Sequence, residues 1–184
     1  MAARQPTFST SDFHDEQPEE VDVVDLQFRR FGRHQCFCGQ IETLRVFEDH
    51  SAVRDTVAQE GRSRVLVVDA GGSLRFGVLG DRLAGRAVEM GWAGLVVVGA
   101  VRDSRALDQL EIGVRALGTT ARRSSVDREG QRGVVLQIGG VLCRPGDWLY
   151  ADDDAVLLSR RMLTIPGGTG GDAAQTDSPS GGAA

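Results

Sequence analysis

Three charged residues have side-chain types and a spacing that suit the binding of a metal ion and an oxo acid. Asp81 is followed, after twenty intervening residues, by the pair Arg102-Asp103. The Asp103 carboxylate offers the hard oxygen ligand that a divalent cation prefers, Asp81 can hold a water on that cation, and the Arg102 guanidinium can bind a carboxylate through two parallel hydrogen bonds. We therefore predict a site for a metal-bound oxo acid. The alternative is that Asp81 only caps a helix and that Arg102-Asp103 is a solvated loop pair.

These residues lie at the ends of the elements of a predicted βαβ unit. The apolar runs 64–70 and 94–99 are typical of strands buried on both faces, and 81–90 has the apolar spacing of a helix with Asp81 as its N-cap. In a right-handed βαβ unit, the strand ends and the helix start share one edge of the sheet. Asp81 is therefore expected beside the Arg-Asp pair. The first amides of the helix would add contacts to an anion.

The rest of the sequence predicts further helices and a second layer of strands. Helices are predicted over 52–60 and over 104–110, the second capped by Ser104, and a short capped helix near Phe8 and Phe13 is expected to dock on the body. Short β segments are predicted at 114–117, 134–138, 141–143 and 155–159. The predicted fold class is therefore α/β, a compact single domain with a parallel βαβ layer packed on an antiparallel or barrel-like β layer.

Composition divides the chain into three parts. Residues 1–18 form a polar N-terminal segment, and residues 19–166 contain the predicted folded domain. Residues 167–184 contain no large apolar side chain. We predict that this Gly- and Ala-rich tail is disordered, because it cannot bury enough apolar surface to offset its ordering entropy.

Composition also excludes several classes of function. All 21 basic residues are arginine, which excludes Schiff-base aldolases, the usual pyridoxal phosphate enzymes and P-loop NTPases, since each needs a lysine amine. A net charge of -5 disfavours direct nucleic-acid binding, and no apolar run approaches the roughly 18 residues of a membrane span. Three cysteines, an odd number, indicate a reducing compartment. We therefore expect a cytoplasmic protein without a membrane partner.

A series of motifs between residues 8 and 159 points to a known family. The motifs are VLVVDAGGSLR at 65–75, LGDRLA at 79–84, GWAGLVVVGAVRD at 91–103, IGVRA at 112–116, RRS at 122–124, GGV at 139–141 and PGDWLYADDD at 145–154. Together they resemble the family that contains the regulator of ribonuclease activity A and 4-hydroxy-4-methyl-2-oxoglutarate aldolase. The likeness covers nearly the whole predicted domain.

The resemblance implies a fold, an assembly and an activity. The fold is of the swivelling β/β/α type and assembles as a homotrimer. The implied activity is that of a divalent-metal-dependent aldolase, which cleaves 4-hydroxy-4-methyl-2-oxoglutarate to two pyruvates and also decarboxylates oxaloacetate. By this resemblance Asp103 would ligate Mg²⁺ or Mn²⁺, and Asp81 would orient the metal-bound water that moves protons. The residues that would bind the 2-oxo acid are Gly80, Asp81, Arg82, Leu83 and Arg102.

The same family offers a second function. Other members are regulators that bind and inhibit a ribonuclease E-type enzyme, and some of these lack the Asp after the Arg. Because Asp103 is present, we rank the enzyme above the regulator. Some aldolases of the family add C-terminal structure that brings a neighbouring subunit's carboxylate into the site. Since this sequence has a Gly-rich tail instead, we expect oxaloacetate decarboxylation to be the stronger activity.

Other sequence features are interpreted as structural. Residues 152–154 are expected to form a polar turn, and Arg122-Arg123 a solvated pair. Cys36 and Cys38 are expected to be ordinary buried or half-buried thiols rather than ligands of a zinc ion. The stretch 67–73 resembles the glycine loop of a methyltransferase, but the glycine spacing differs and no acidic residue ends a following strand.

Overall fold

The computed structural model describes residues 7–123 and 129–165, so the predicted tail 167–184 lies outside the described residues. The helices are α1 Thr10–Glu16, α2 Ser51–Val57, α3 Asp81–Glu89 and α4 Ser104–Leu107, with a 3-10 turn at Pro18–Glu20. The strands are β1 Asp22–Val23, β2 Arg29–Phe31, β3 Phe37–Arg45, β4 Val65–Asp69, β5 Gly77–Leu79, β6 Gly94–Val101, β7 Gly113–Thr119, β8 Gln131–Arg132, β9 Leu136–Ile138, β10 Val141–Cys143, β11 Trp148–Ala151 and β12 Val156–Ser159. Within the described ranges, no helix is long and apolar enough to cross a membrane.

Ten of the strands in the described residues form one mixed sheet. Its strand order is β1-β12-β11-β3-β4-β6-β7-β2, with β5 beside β6 and β8 beside β3. The neighbours β3, β4, β6 and β7 run parallel, as does β5 beside β6, whereas β11, β12 and β1 pair antiparallel. Strands β9 and β10 form a separate antiparallel hairpin.

The long strand β3 joins the two layers. Its residues 37–40 pair antiparallel with β11, and its residues 41–45 pair parallel with β4. One strand thus belongs to the antiparallel layer at its start and to the parallel layer at its end. The predicted α/β class, with a parallel layer against an antiparallel one, is confirmed.

Several predicted elements need correction. The segment 114–117 was predicted for the second β layer, but it lies within β7, parallel to β6 in the first layer. Helix α2 ends at Val57 rather than at residue 60, and α4 ends at Leu107 rather than at residue 110. The sequence prediction lacked β1, β2, β3, β5, β8 and β11. In β3, Gly39 and the polar residues at 40, 42 and 43 interrupt the apolar run.

The N-terminal helix docks on the antiparallel layer, as predicted. The Ser9 hydroxyl accepts a hydrogen bond from the amide of Asp12, which caps α1. The Phe13 ring is fully buried, and its centroid lies 4.7 Å from that of Tyr150 on β11. Phe8 packs edge-on against the same tyrosine at 5.8 Å. Burial of these rings explains why so short a helix is stable on the body of the protein.

A buried carboxylate ties α1 to the turn between β11 and β12. Asp152 accepts hydrogen bonds from the Thr10 amide at 2.6 Å and the Thr10 hydroxyl at 2.7 Å. It also accepts bonds from the amides of Asp154 and Ala155, which close the predicted polar turn. We expect Asp152→Ala to lower the free energy of unfolding by about 3 kcal/mol, because the buried Thr10 donors lose their acceptor. Urea unfolding measures this loss.

The same carboxylate predicts an acid-sensitive stability. Burial raises the pKa of Asp152, but the hydrogen bonds from Thr10, Ala155 and Asp154 outweigh burial and lower the pKa overall. A folded-state pKa below the unfolded value means that the stabilisation is complete above roughly pH 4 and is lost as the pH falls through the folded value. Asp152→Ala should therefore flatten the acid limb of the stability curve. The exposed neighbour Asp154→Ala is the matched control and should leave that limb in place.

Candidate active site

A cavity of about 660 Å³ opens at the carboxyl-end edge of the parallel layer. Strand β5 ends at Leu79 and leads directly into α3, while the neighbouring strand β6 ends at Val101. The two ends are in register, with Leu79 opposite Val101 and the Arg102 amide donating to the Leu79 carbonyl at 2.9 Å. Carboxyl ends of parallel strands are where α/β sheets bind ligands. All the predicted site residues line this cavity, namely Gly80, Asp81, Arg82, Leu83, Arg102 and Asp103.

Arg102 and Asp103 form a two-point ion pair at the cavity wall. Arg102 Nε donates to Asp103 Oδ2 at 2.9 Å, and a terminal nitrogen donates to Oδ1 at 3.3 Å. The side chains are 31% and 35% exposed, so both are open to a ligand. Since a guanidinium binds any carboxylate with this geometry, the acid group of a ligand can replace Asp103 on Arg102 and release Asp103 for a cation.

The backbone of Asp103 is held in the left-handed region. Its φ and ψ angles are 57° and 40°, and its carbonyl accepts the amides of Ala106 and Leu107 at the start of α4. Ser104 was predicted as the cap of this helix, but the cap position belongs to Asp103, whose side chain makes no capping bond. The left-handed turn leaves the Asp103 carboxylate directed to the cavity rather than to the helix.

Asp81 is the first residue of α3 and not its N-cap. Gly80 occupies the cap position in an extended conformation, and the Asp81 carboxylate accepts the amide of Arg82 at 2.7 Å. The predicted cap at Asp81 is therefore wrong by one residue, because Gly80 already has the extended backbone that precedes a helix. The Asp81 side chain lies half-buried in the cavity wall.

Three residues of the cavity lining with basic side chains were not predicted as site residues. His50 and Arg54 come from the start of α2, which follows β3, and Arg123 follows β7. Arg123 is exposed, as predicted, and one of its terminal nitrogens lies 3.2 Å from His50 Nε2. The signal that identifies all three is topological, since β3 and β7 end at the same sheet edge as β6. Arginines 54, 82, 102 and 123 face carboxylates 81 and 103, so the cavity has a cationic surplus that suits a dianion.

The cysteines lie outside the cavity lining. Cys36 and Cys38 are half-buried against the cluster around Phe8 and Tyr150, and burial raises the pKa of Cys143 to about 12. A thiol with so high a pKa stays protonated at neutral pH. The interpretation of Cys36 and Cys38 as ordinary buried or half-buried thiols is confirmed.

The donor set of the cavity fits magnesium or manganese. Among residues 7–123 and 129–165 no three His, Cys, Asp or Glu side chains converge, so a full protein cage for a metal is absent there. Mg²⁺ needs no such cage, because it keeps several waters and is held by one or two carboxylates together with substrate oxygens. Asp103 supplies such a carboxylate, Asp81 can hold a water of the ion, and Gly80, without a side chain, leaves the space beside Asp103 Oδ2 open.

Gly80 gives a direct test of that open space. A Cβ at Gly80 would lie 2.8 Å from Asp103 Oδ2 and 3.1 Å from Arg102 Cγ. The φ of Gly80 is -136°, which alanine adopts without strain, so only these contacts are disturbed. We expect Gly80→Ala to displace the ion pair and to lower kcat/KM by roughly tenfold or more, since small misplacements in a site are costly. Steady-state kinetics and thermal melting measure the two effects.

Gly85 of the same helix is the matched control. A Cβ at Gly85 meets no atom within 4 Å. Gly85→Ala should therefore preserve kcat/KM and raise stability by about 0.5–1 kcal/mol, because alanine is the better helix former. Equal kinetics for the two variants would contradict the role given to the space at Gly80.

Comparisons with known proteins agree with the fold and the motifs. The RraA-like family model, described as Aldolase/RraA, matches residues 10–158. A protein of Laribacter hongkongensis named "Putative 4-hydroxy-4-methyl-2-oxoglutarate aldolase" is 47% identical over 152 residues, which cover 83% of this chain and 96% of the relative. A protein of Pseudomonas syringae pv. tomato with the same name is 46% identical over 159 residues, covering 86% and 98%.

Two solved structures share the fold. The RNA-processing inhibitor RraA from Thermus thermophilis superposes with a TM-score of 0.80 at 43% identity, over 89% of this chain and 96% of that one. A Geobacillus kaustophilus protein, named S-adenosylmethionine: 2-dimethylmenaquinone methyltransferase, gives 0.82 at 41% identity, over 84% and 96%. With a family match over residues 10–158 and relatives above 40% identity, this chain belongs to the RraA-like family.

Proposed function

We propose that this chain is a divalent-metal-dependent carbon–carbon lyase that cleaves 4-hydroxy-4-methyl-2-oxoglutarate to two pyruvates and decarboxylates oxaloacetate. The observation that carries the proposal is the meeting of Asp81, Arg102 and Asp103 in one cationic cavity at the sheet edge. The names of relatives 46–47% identical support the same activity.

Both substrates are dianions with a 2-oxo acid at one end, and the cavity offers a group for each part. Arg102 binds the 2-oxo acid carboxylate through its planar fork. The first-turn amides of α3 from Gly80 to Leu83 frame the same end, because helix N-termini attract negative charge. The second carboxylate is left to Arg54 of α2 and to Arg123 of the segment after β7, which also line the cavity.

Both reactions leave an enolate beside a carboxylate, and this charge must be stabilised. Mg²⁺ or Mn²⁺, held by Asp103, would supply the Lewis acid for that enolate. The chain has no lysine, so it cannot form the iminium that other aldolases use for the same purpose. Asp81 positions a water that returns a proton to the enolate carbon. The arginines neutralise the dianion and hold it still while the bond breaks.

A regulator that binds and inhibits a ribonuclease E-type enzyme is the second candidate. Its support is the likeness to the Thermus RNA-processing inhibitor at 43% identity. The trimer implied by the family would serve either function, and the free thiols suit a cytoplasmic setting. A methyltransferase activity has less support, because the Gly71-Gly72 loop lies outside the cavity lining.

Pyruvate release tests the proposal. Purified protein is incubated with each substrate and Mg²⁺, then with EDTA in place of the metal. We expect release well above the rate with metal alone, and its loss in EDTA. A rate equal to the metal background with both substrates overturns the enzyme and favours the regulator.

A further inference from the structure

A histidine of the cavity has a chemical role that the proposed reaction leaves unassigned. His50 lies between β3 and α2, and its side chain, 17% exposed, lines the cavity together with Arg102 and Asp103. Histidine is the side chain that most readily exchanges a proton near neutral pH. It is also the only imidazole in the described lining of this cavity.

The contact with Arg123 fixes the protonation form of His50. An Arg123 terminal nitrogen lies 3.2 Å from His50 Nε2. A guanidinium only donates hydrogen bonds, so Nε2 must accept, and the ring is neutral with its proton on Nδ1. The structure thus directs a basic lone pair of His50 toward a cavity arginine.

A buried carboxylate stands behind the imidazole. His50 Nδ1 lies 3.8 Å from Asp49 Oδ1, and Asp49 is only 1% exposed. Asp49 accepts the amide and the hydroxyl of Ser51, which hold its carboxylate in place. A fixed carboxylate on the Nδ1 side stabilises the imidazolium that forms when Nε2 takes up a proton.

From this arrangement we propose that His50 is the general base of carbon–carbon cleavage, made available when the substrate's second carboxylate draws Arg123 away. The proposal rests on the lyase function given above. A carboxylate that pairs with Arg123 takes the place of His50 Nε2 as the acceptor of that guanidinium, which leaves Nε2 open to the substrate.

The proposed step conserves atoms and electrons. Nε2 takes the proton of the C4 hydroxyl, the O–H electron pair becomes the new carbonyl bond, and the C3–C4 bond breaks. Its electron pair stays on C3 as the enolate of pyruvate, and the water at Asp81 protonates C3. The proton on Nε2 then passes to the hydroxide left from that water. Two pyruvates leave in the keto form, and the enzyme is unchanged.

Oxaloacetate distinguishes the proposed role of His50 from the roles of the other site residues. Its decarboxylation has no hydroxyl proton to remove and needs only the enolate stabilisation and the protonating water. His50→Gln should therefore lower kcat for cleavage of 4-hydroxy-4-methyl-2-oxoglutarate by about 100-fold or more. Oxaloacetate decarboxylation should stay within about threefold of the parent, since no general base is lost from it.

His34→Gln is the matched control. The His34 ring is 13% exposed and faces Glu111 outside the cavity lining. Its buried Nδ1, like that of His50, has no hydrogen bond among the described residues. His34→Gln should leave both activities unchanged. A second variant, His50→Asn, and thermal melting of both His50 variants distinguish a loss of the base from a folding defect. If His50→Gln lowers both activities equally, or leaves cleavage unchanged, the role of His50 is wrong while the lyase function stands. A parent protein inactive with metal on both substrates overturns the lyase function itself, and this inference with it.

Discussion

Asp103→Asn is expected to lower pyruvate release from both substrates by about 1000-fold, the loss that corresponds to about 4 kcal/mol of transition-state stabilisation. The amide keeps the shape of the side chain but loses the charge that would hold a divalent cation. Asparagine also tolerates the left-handed backbone that Asp103 adopts at φ 57°. The fold should therefore persist, and the change isolates the chemistry. Steady-state rates at saturating Mg²⁺ give the measurement.

Comparison with alanine and with a distant carboxylate sharpens this result. Asp103→Ala should be as inactive but less stable by about 1 kcal/mol, because alanine is strained in the left-handed region. Glu89→Gln at the end of α3 removes an exposed carboxylate that pairs only with Arg86 in the described structure, and it should keep parental rates. If D103N keeps more than a third of parental turnover, the metal assignment is wrong. Retained ribonuclease binding by D103N would agree with a separate regulatory surface.

The sequence predicted the central elements because their signal is local. The first four residues of β4 form an unbroken apolar run, all eight residues of β6 are buried, and α3 has two buried alanines on one face. These elements carry Asp81 and the Arg-Asp pair, so that part of the candidate site followed from spacing. The position of β5 did not, although it is β5 that delivers α3 to the edge beside β6.

Strand β7 shows why other elements were misassigned. Arg115 interrupts its apolar run, yet the side chain is only 2% exposed. Its guanidinium donates to the carbonyls of Asp152, Val114 and Gln35, which come from three different parts of the chain. Burial lowers the pKa of Arg115, but these acceptors and Asp153 satisfy the charge. A charge in the sheet interior is acceptable only with such partners, and no local pattern reveals them.

His50 and Arg123 were missed for the same physical reason. Each has an ordinary local sequence, at a helix start and in a polar segment after a strand. They meet only because β3 and β7 run parallel in one sheet and end at one edge. Long-range strand order therefore decides which basic groups share the cavity with Asp103, and that order is set by packing across the whole sheet.

That packing depends on the ring of Phe37. Phe37 begins β3, is 1% exposed, and lies between two glycines, Gly94 of β6 and Gly113 of β7. A Cβ at Gly94 would lie 2.1 Å from one edge of the ring, and a Cβ at Gly113 would lie 2.1 Å from the other edge. The guanidinium of Arg115 stacks 5.4 Å from the ring centroid. The ring is therefore confined at two edges and on one face.

Gly94→Ala is expected to lower the free energy of unfolding by about 3 kcal/mol, at the upper end of overpacking costs, because the ring is confined on both sides. For a chain of this size the melting temperature should fall by roughly 6–12 °C. Phe37→Leu alone loses ring contacts, at a cost of about 1–2 kcal/mol. In the double variant the smaller leucine makes room for the new methyl group. Its loss of unfolding free energy should therefore be smaller than the sum of the losses in the two single variants. Strict additivity in urea unfolding would show that the glycine is needed for some reason other than the ring.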